Sequence, residues 1–181
     1  MAHENPVPYR VTRGGAAYDG LERLPVSVLL ADVRSAYNVG AFFRTAEAVR
    51  CEHLYLSGIS PPPTHRGVVK TALGAQERVA WSAVADPIAL VDRLAEASVR
   101  IAAIETSLTA EDLFDWSPSF PVCIAFGNEV DGLPAALLER ATDRVRIPML
   151  GFKQSLNVAT AGGVVLYELL RKYRTVLTSR A

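Results

Sequence analysis

The sequence has 181 residues, of which half are apolar and 21% are charged, a composition typical of one globular domain and too hydrophobic for a disordered chain. Because 19 Lys and Arg balance 19 Asp and Glu, nucleic-acid binding through a general positive field is excluded, and any such binding must depend on local clusters of arginine. Two cysteines are too few for a disulfide framework, no apolar run approaches the ~20 residues of a membrane-spanning helix, and the polar first twenty residues do not resemble a secretory signal, so we expect a cytoplasmic protein.

The predicted elements alternate between strands and helices. Residues 1–24 lack periodicity and are interpreted as an N-terminal arm, followed by one domain over residues 25–181. Strands are predicted at residues 26–31, 53–56, 79–81, 100–104, 122–126 and 144–147, and helices at residues 38–50, 87–97, 110–114, 134–140 and 155–173. This order predicts an α/β domain with a largely parallel sheet, in which ligands bind at the carboxyl ends of the strands.

The loop after the first strand, residues 32–44, reads DVRSAYNVGAFFR. Asn38 stands where a helix is predicted to begin, which makes it a candidate N-cap or a candidate functional group. Arg44 lies roughly opposite the apolar stripe of that helix, where it could pair with Glu47 one turn on or serve a site. Spacing alone favours the ordinary structural interpretation of both residues.

The loop at residues 126–134 reads FGNEVDGLP and carries two acids between two glycines. Ordinary turn chemistry is one interpretation, since Gly and Asn accept positive φ at low cost. A ligand site is the other. Because phosphate cradles avoid nearby carboxylates, Glu129 and Asp131 suit a cationic or hydroxyl-bearing ligand better. No dinucleotide fingerprint or P-loop occurs in the sequence, which disfavours a generic nucleotide-binding protein.

The last loop, residues 147–159, leads into a helix that is apolar on two sides. Ser155 or Asn157 could cap this helix. The Gly162–Gly163 pair costs roughly 1 kcal/mol per glycine relative to alanine, which predicts close helix–helix approach, and we expect a homodimer seam along this helix. The histidines are scattered and no Cys/His spacing matches a zinc site, so we expect no metal.

Taken in order, the stretches NVGAFFRTAE, IAFGNEVDGLP and IPMLGFKQSLNVATA resemble the three motifs of the SpoU (TrmH) branch of the SPOUT superfamily. KTALGAQ at residues 70–76 is also similar to the family, and the resemblance covers about residues 26–173. Members are RNA ribose 2′-O-methyltransferases that use S-adenosylmethionine. The resemblance therefore implies this activity, a C-terminal deep trefoil knot, and a homodimer with the active site near its seam.

Motif positions transfer the family's roles to residues of this chain. The catalytic candidates are Asn38, Arg44, Glu129, Ser155 and Asn157, and the cofactor-binding candidates are Thr106, Gly127, Ile147 and Leu156. Candidate RNA contacts are Arg10, Arg13, Arg34, Arg66 and Lys70. Because arginine stays protonated, Arg44 is expected to stabilise developing charge, although the family proposal makes its counterpart a base.

The substrate expected from the resemblance is structured RNA. The sequence shows no separate N-terminal RNA-binding domain of the kind that larger members carry, so tRNA is favoured over rRNA. The alternative hypothesis is a catalytically idle RNA-binding or assembly factor with the same fold.

Overall fold

The computed structural model describes residues 22–180, with side chains as far as residue 177. The strands are β1 (Leu24–Ala31), β2 (Cys51–Ser57), β3 (Trp81–Val84), β4 (Arg100–Ile104), β5 (Glu111–Asp112), β6 (Val122–Phe126) and β7 (Asp143–Arg146). The helices are α1 (Ala36–Ala48), α2 (Arg66–Ala72), α3 (Pro87–Glu96), α4 (Ala135–Arg140) and α5 (Val158–Arg180), with a 3₁₀ turn at Ala75–Glu77. None of the helices in this part of the chain is long and apolar enough to cross a membrane.

The strands form one seven-stranded sheet in the order β3-β2-β1-β6-β4-β7-β5, and all six strand pairs are parallel. β6 lies between β1 and β4, and its five residues are all buried, as its continuous apolar sequence predicts. The predicted α/β domain with a parallel sheet is confirmed. β1 is followed in sequence by β2 and β3 on one side and borders β6 on the other, which makes this boundary a topological switch point.

Helices cover both faces of the sheet. α1, α2 and α5 supply buried residues to one core cluster, including Phe42, Val68 and Leu166. α3 and α4 supply Leu90 and Leu137 to the cluster on the opposite face. The sheet is therefore the middle layer of three, which explains why its central strands consist of continuous apolar runs.

The helix predicted at residues 110–114 is wrong. Glu111–Asp112 is instead a short edge strand that pairs with β7. After it, the ammonium group of Lys172 on α5 donates hydrogen bonds to the carbonyl oxygens of Leu113, Phe114 and Trp116. These carbonyls are held by a distant side chain rather than by a helical ladder, and sequence periodicity cannot show such a contact.

α2 was not predicted from the sequence, and it depends on tertiary contact. Its N-cap is His65, whose Nδ1 accepts a hydrogen bond from the Gly67 N–H at 3.0 Å. It packs on α1 where Gly40 leaves no room for a side chain: an added Cβ would lie 1.9 Å from Thr71 Oγ1. A seven-residue helix has little stability alone, so this packing is what maintains it.

The apolar strips of α5 are buried within the chain itself. Val165, Leu166 and Leu169 are fully buried in the core cluster beneath α1. Gly162 provides the close approach, because an added Cβ would lie 2.2 Å from Cε1 of Phe42. The apolar character from which a dimer seam is predicted is thus explained by packing inside one chain.

Candidate active site

Four loops meet at one edge of the sheet. β1, β6, β4 and β7 are consecutive neighbours and run parallel, so their carboxyl ends lie side by side. The residues that follow these ends are Asp32, Gly127, Glu105 and Ile147. The three motif loops and the predicted cofactor loop therefore share this edge, beside the switch point where parallel sheets bind ligands.

The first motif enters the site on the first turn of α1. Ser35 is the N-cap, and its hydroxyl accepts a hydrogen bond from the Asn38 N–H at 3.3 Å. The prediction that Asn38 caps this helix is therefore wrong. Because a serine three residues earlier already satisfies the backbone, the Asn38 amide group is available for tertiary contacts.

Asn38 joins the other two motifs through its side chain. Its Nδ2 donates to Oε1 of Glu129 at 3.0 Å, and its Oδ1 accepts from Nδ2 of Asn157 at 3.2 Å. The two partners are 91 and 119 residues away in sequence. We call these three side chains the Asn38 network.

Backbone donors orient the Asn157 amide directly and, through it, the amide of Asn38. Oδ1 of Asn157 accepts from the N–H groups of Ala159 and Thr160 at 3.0 and 3.3 Å, as a helix N-cap does. Its Nδ2 must then face Asn38, which in turn directs the Nδ2 of Asn38 toward Glu129. The hydrogen bonds run in one direction from the start of α5 to the Glu129 carboxylate, and each amide uses one of its two N–H donors in this chain of bonds.

Asn128 holds the second motif loop in place, and sequence analysis did not identify it. Its Nδ2 donates to the Asp32 carbonyl oxygen at 3.1 Å, while its Oδ1 accepts from the Val130 N–H at 2.8 Å. An antiparallel bridge to Gly132 closes the loop. Asparagine commonly bonds nearby backbone in turns, so the residue type was a signal, but the link to β1 was not foreseeable.

Gly127 is required by the shape of the same loop. An added Cβ would lie 2.2 Å from the Gly132 carbonyl carbon and 2.4 Å from the Leu133 nitrogen. Both are backbone atoms, which cannot move aside as a flexible side chain could. This position therefore accepts only glycine in the observed loop conformation.

Arg44 and Ser155 lie outside the Asn38 network. Both side chains are exposed, and within residues 22–180 neither makes a hydrogen bond or an ion pair. In particular, Arg44 does not pair with Glu47, the alternative that its helical spacing left open. Its guanidinium is thus available to a ligand.

The predicted cofactor residues lie on the loops after β4, β6 and β7. Thr106 is exposed, Ile147 packs partly against the core, and Leu156 directly precedes Asn157. Next to Thr106 is Glu105, which sequence analysis did not single out. One carboxylate oxygen of Glu105 is buried without any hydrogen-bond partner in the described part of the chain.

Three of the predicted RNA contacts surround the first turn of α1. Arg34, Arg66 and Lys70 are all exposed. α2 begins so close to α1 that a Cβ on Gly67 would lie 2.8 Å from Cβ of Ala36, and the Lys70 ammonium lies 5.9 Å from the Tyr37 ring centroid. Three cationic side chains are thus gathered in a chain of zero net charge. Arg10 and Arg13 lie outside the described residues.

Two other chemistries find little support in this region. Among the described residues, no three His, Cys, Asp or Glu side chains are grouped closely enough to hold a metal ion. Both thiols are buried, which raises the pKa of Cys51 to about 12 and that of Cys123 to about 11. Neither cysteine has the low pKa that a nucleophilic thiolate needs.

The model of the SpoU rRNA Methylase family matches residues 25–167, which is most of the chain. The chain belongs to this family. The resemblance found in the three motifs is therefore confirmed.

Three known proteins illustrate how similar this chain is to others in sequence and in structure. The 23S rRNA (guanosine-2′-O-)-methyltransferase RlmB of Ralstonia nicotianae is 31% identical over 159 residues, covering 87% of this chain and 63% of the relative. The AdoMet-bound rRNA methyltransferase structure from Sinorhizobium meliloti is 28% identical, with a TM-score of 0.74, and the match covers 83% of this chain and 60% of that one. A structure described by the 2-OH methylation of C/U34 on tRNA is 26% identical, with a TM-score of 0.74, and the match covers 83% and 97%.

The extent of these matches differs between the relatives. This chain spans about three fifths of the length of the first curated relatives it matches. The tRNA-related structure, in contrast, is matched over nearly its whole length. The matches therefore cover most of this chain in each case but very different shares of the matched proteins.

Proposed function

We propose that this SpoU-family chain transfers a methyl group from S-adenosylmethionine to a ribose 2′-hydroxyl of RNA. The observation that carries the proposal is the Asn38 network, in which the three family motifs meet at the carboxyl edge of the sheet. Arg44, which has no partner among the described residues, and the cationic residues around the first turn of α1 add to it. A protein that had lost catalysis would have no need for a matched polar network at this edge.

The residues at the edge fit S-adenosylmethionine as the cofactor. Its ribose hydroxyls are donors and its sulfur is cationic, and Glu105 offers a carboxylate oxygen that lacks a donor. The loops carrying Thr106, Gly127, Ile147 and Leu156 would hold the molecule, mainly through backbone groups. When bound, it supplies an already activated methyl group, so positioning by the protein accounts for much of the rate.

The chain's own residues have separable tasks in this proposal. The Asn38 network fixes the polar wall of the site, because backbone donors orient the Asn157 amide, and Asn157 in turn orients the amide of Asn38. Ser155, two residues before Asn157, would contact the substrate. Arg44 would bind the phosphate beside the reacting sugar and stabilise negative charge that develops on the 2′-oxygen. A guanidinium stays protonated at neutral pH, which suits it to this task better than to proton removal.

We propose tRNA as the substrate class, and a cytoplasmic location with it. One structural neighbour supports tRNA, since it is described by the 2-OH methylation of C/U34 on tRNA and the match covers 97% of that neighbour. Arg34, Arg66 and Lys70 would hold the RNA backbone at the entrance to the site. Arg10 and Arg13, on the predicted arm, would extend this contact.

We also propose the family's trefoil knot in the C-terminal segment and a homodimer. The exposed face of α5 supports the dimer, because Tyr167 is 54% exposed there and nothing lies within 4 Å of a Cβ added at Gly163. An exposed tyrosine beside a glycine on a long helix suits close packing of a second copy.

Methyl transfer from radiolabelled S-adenosylmethionine tests the activity, with bulk tRNA and bulk rRNA as separate substrates. We expect the wild type to label tRNA and Arg44→Ala to lose more than about 100-fold in rate, the magnitude typical of losing a group that stabilises transition-state charge. Arg93→Ala is the matched control, since it removes an exposed arginine from α3, on the opposite face of the sheet from α1. A near-wild-type rate for Arg44→Ala would refute its role.

Thermal shift separates the activity from its alternatives. We expect S-adenosylmethionine to raise the melting temperature of both the wild type and Arg44→Ala, and NAD to raise neither. Stabilisation by NAD alone would refute the methyltransferase. Binding of RNA without any transfer would instead identify the idle RNA-binding factor.

A further inference from the structure

Glu105 occupies a position at the cofactor edge that its surroundings inside the chain do not explain. It directly follows β4, and its N–H donates to the Val145 carbonyl oxygen at 3.0 Å, so its backbone is still held by the sheet. β4 lies between β6 and β7, whose loops carry Gly127 and Ile147. Glu105 thus follows the middle one of the three neighbouring strands whose loops are assigned to the cofactor.

The carboxylate of Glu105 lacks a partner. One of its oxygens is fully buried with no donor, and within residues 22–180 the side chain makes no hydrogen bond or ion pair. A buried carboxylate oxygen without a donor is costly, because it loses its water without compensation. Such a group is expected where a ligand supplies the missing donor.

The strand register places one possible partner, Arg146, beside Glu105, but the two residues do not form an ion pair. Ile104 of β4 pairs with Val145 of β7, so the next residues along the two strands are Glu105 and Arg146. The two nevertheless form no ion pair, and the Nε of Arg146 is itself buried without a partner among the described residues. The register of β4 and β7 would allow a salt bridge between Glu105 and Arg146, but none is formed.

We propose that Glu105 recognises the cofactor by accepting hydrogen bonds from the ribose hydroxyls of its adenosyl group. The inference rests on the proposed function. A carboxylate at the carboxyl end of a parallel strand is the group that takes ribose hydroxyls in other nucleotide-binding sheets. Two vicinal hydroxyls match the two oxygens of one carboxylate, and the adjacent Thr106 belongs to the predicted cofactor contacts.

Calorimetric titration of Glu105→Gln with three ligands tests this assignment. S-adenosylmethionine has the sulfonium, the amino acid and the ribose. S-adenosylhomocysteine lacks the positive sulfur, and 5′-methylthioadenosine lacks the amino acid as well. Because only the ribose and adenine are common to all three, we expect Glu105→Gln to weaken each by a similar factor, roughly 10- to 100-fold, as loss of charge-assisted hydrogen bonds implies.

The controls separate ligand recognition from folding. Glu96→Gln, an exposed acid at the end of α3, should leave all three affinities unchanged. Unliganded Glu105→Gln should melt at or above the wild-type temperature, since it removes a half-buried charge without changing shape.

Three results would overturn the assignment. Wild-type affinity in Glu105→Gln would show that the carboxylate does not contact the cofactor. Weakening confined to S-adenosylmethionine would assign Glu105 to the sulfonium, and weakening that spares 5′-methylthioadenosine would assign it to the amino group. A wild type that binds none of the three ligands would instead refute the proposed function and this inference together.

Discussion

The adjacent glycines of α5 should respond to alanine in opposite directions. Both lie in the interior of a 23-residue helix, where alanine is favoured over glycine by about 1 kcal/mol. At Gly163 no described atom of the chain lies within 4 Å of the new Cβ, so Gly163→Ala should gain that amount at dilutions where the proposed homodimer is dissociated. At Gly162 the new Cβ would lie 2.2 Å from Cε1 and 2.5 Å from Cζ of Phe42.

The Phe42 ring is enclosed by other core residues, so it cannot move away from a new Cβ at position 162. Phe42 is only 1% exposed, and its ring centroid lies 5.1 Å from that of Phe126, which is also buried. Overpacking of this kind costs up to about 3 kcal/mol, so after the gain in helix propensity Gly162→Ala should lose about 2 kcal/mol of unfolding free energy. For a domain of this size, that is a melting temperature lower by ~4–8 °C, against ~2–4 °C higher for Gly163→Ala.

Urea unfolding followed by circular dichroism would measure both variants against the wild type. Two protein concentrations should be compared, since self-association would make the midpoint depend on concentration. The reasoning would be refuted if Gly162→Ala were as stable as the wild type, or if both variants shifted the midpoint in the same direction.

Three further outcomes follow from particular contacts. Asn157→Asp keeps the oxygen that caps α5 but loses the amide that donates to Asn38. We therefore expect single-turnover methyl transfer to be at least 10-fold slower while the melting temperature is unchanged, and a wild-type rate would contradict this. Burial raises the pKa of Cys51 to about 12 and of Cys123 to about 11, so neither thiol should react with Ellman's reagent at pH 8 until urea unfolds the chain; fast reaction of the folded protein would disagree. The hydrogen bonds from Arg171 lower the pKa of Glu168 in the folded protein. Their contribution to the free energy of unfolding is therefore present above the pKa of the unfolded state and is lost as the pH falls through the pKa of the folded state. Glu168→Gln should make stability less dependent on pH in the acid range, and an unaltered pH dependence would count against this.

The parallel sheet was predictable because its central strands have an unambiguous pattern. The apolar run of β6 needs only burial on both faces, and its predicted bounds match those of the strand. The residue that caps α1 was harder to predict from the sequence, because Ser35 and Asn38 are both good N-cap residues and only the fold decides which one is used. The segment that follows the edge strand β5 is held by Lys172, a contact from a distant part of the chain that the local sequence does not indicate.

The site could be assembled from the sequence only through the family resemblance. Nothing in the spacing of Asn38, Glu129 and Asn157 predicts that they bond to one another, because the sheet order that brings them together is a global property. Asn128 and Glu105 were missed for different reasons. Asn128 resembles an ordinary turn residue, and the significance of Glu105 lies in a hydrogen bond that it does not make.

Because Asn157 caps α5, the candidate site keeps its geometry only while the first turn of α5 stays folded. If the first turn of α5 unwinds, the backbone donors that hold the Asn157 amide are lost, both asparagines become free to rotate, and Glu129 no longer has an assured donor. Opening a single helical turn requires far less free energy than unfolding the domain. Heat or mild denaturant should therefore abolish methyl transfer well before the sheet melts, and anything that binds against the helix start should protect it.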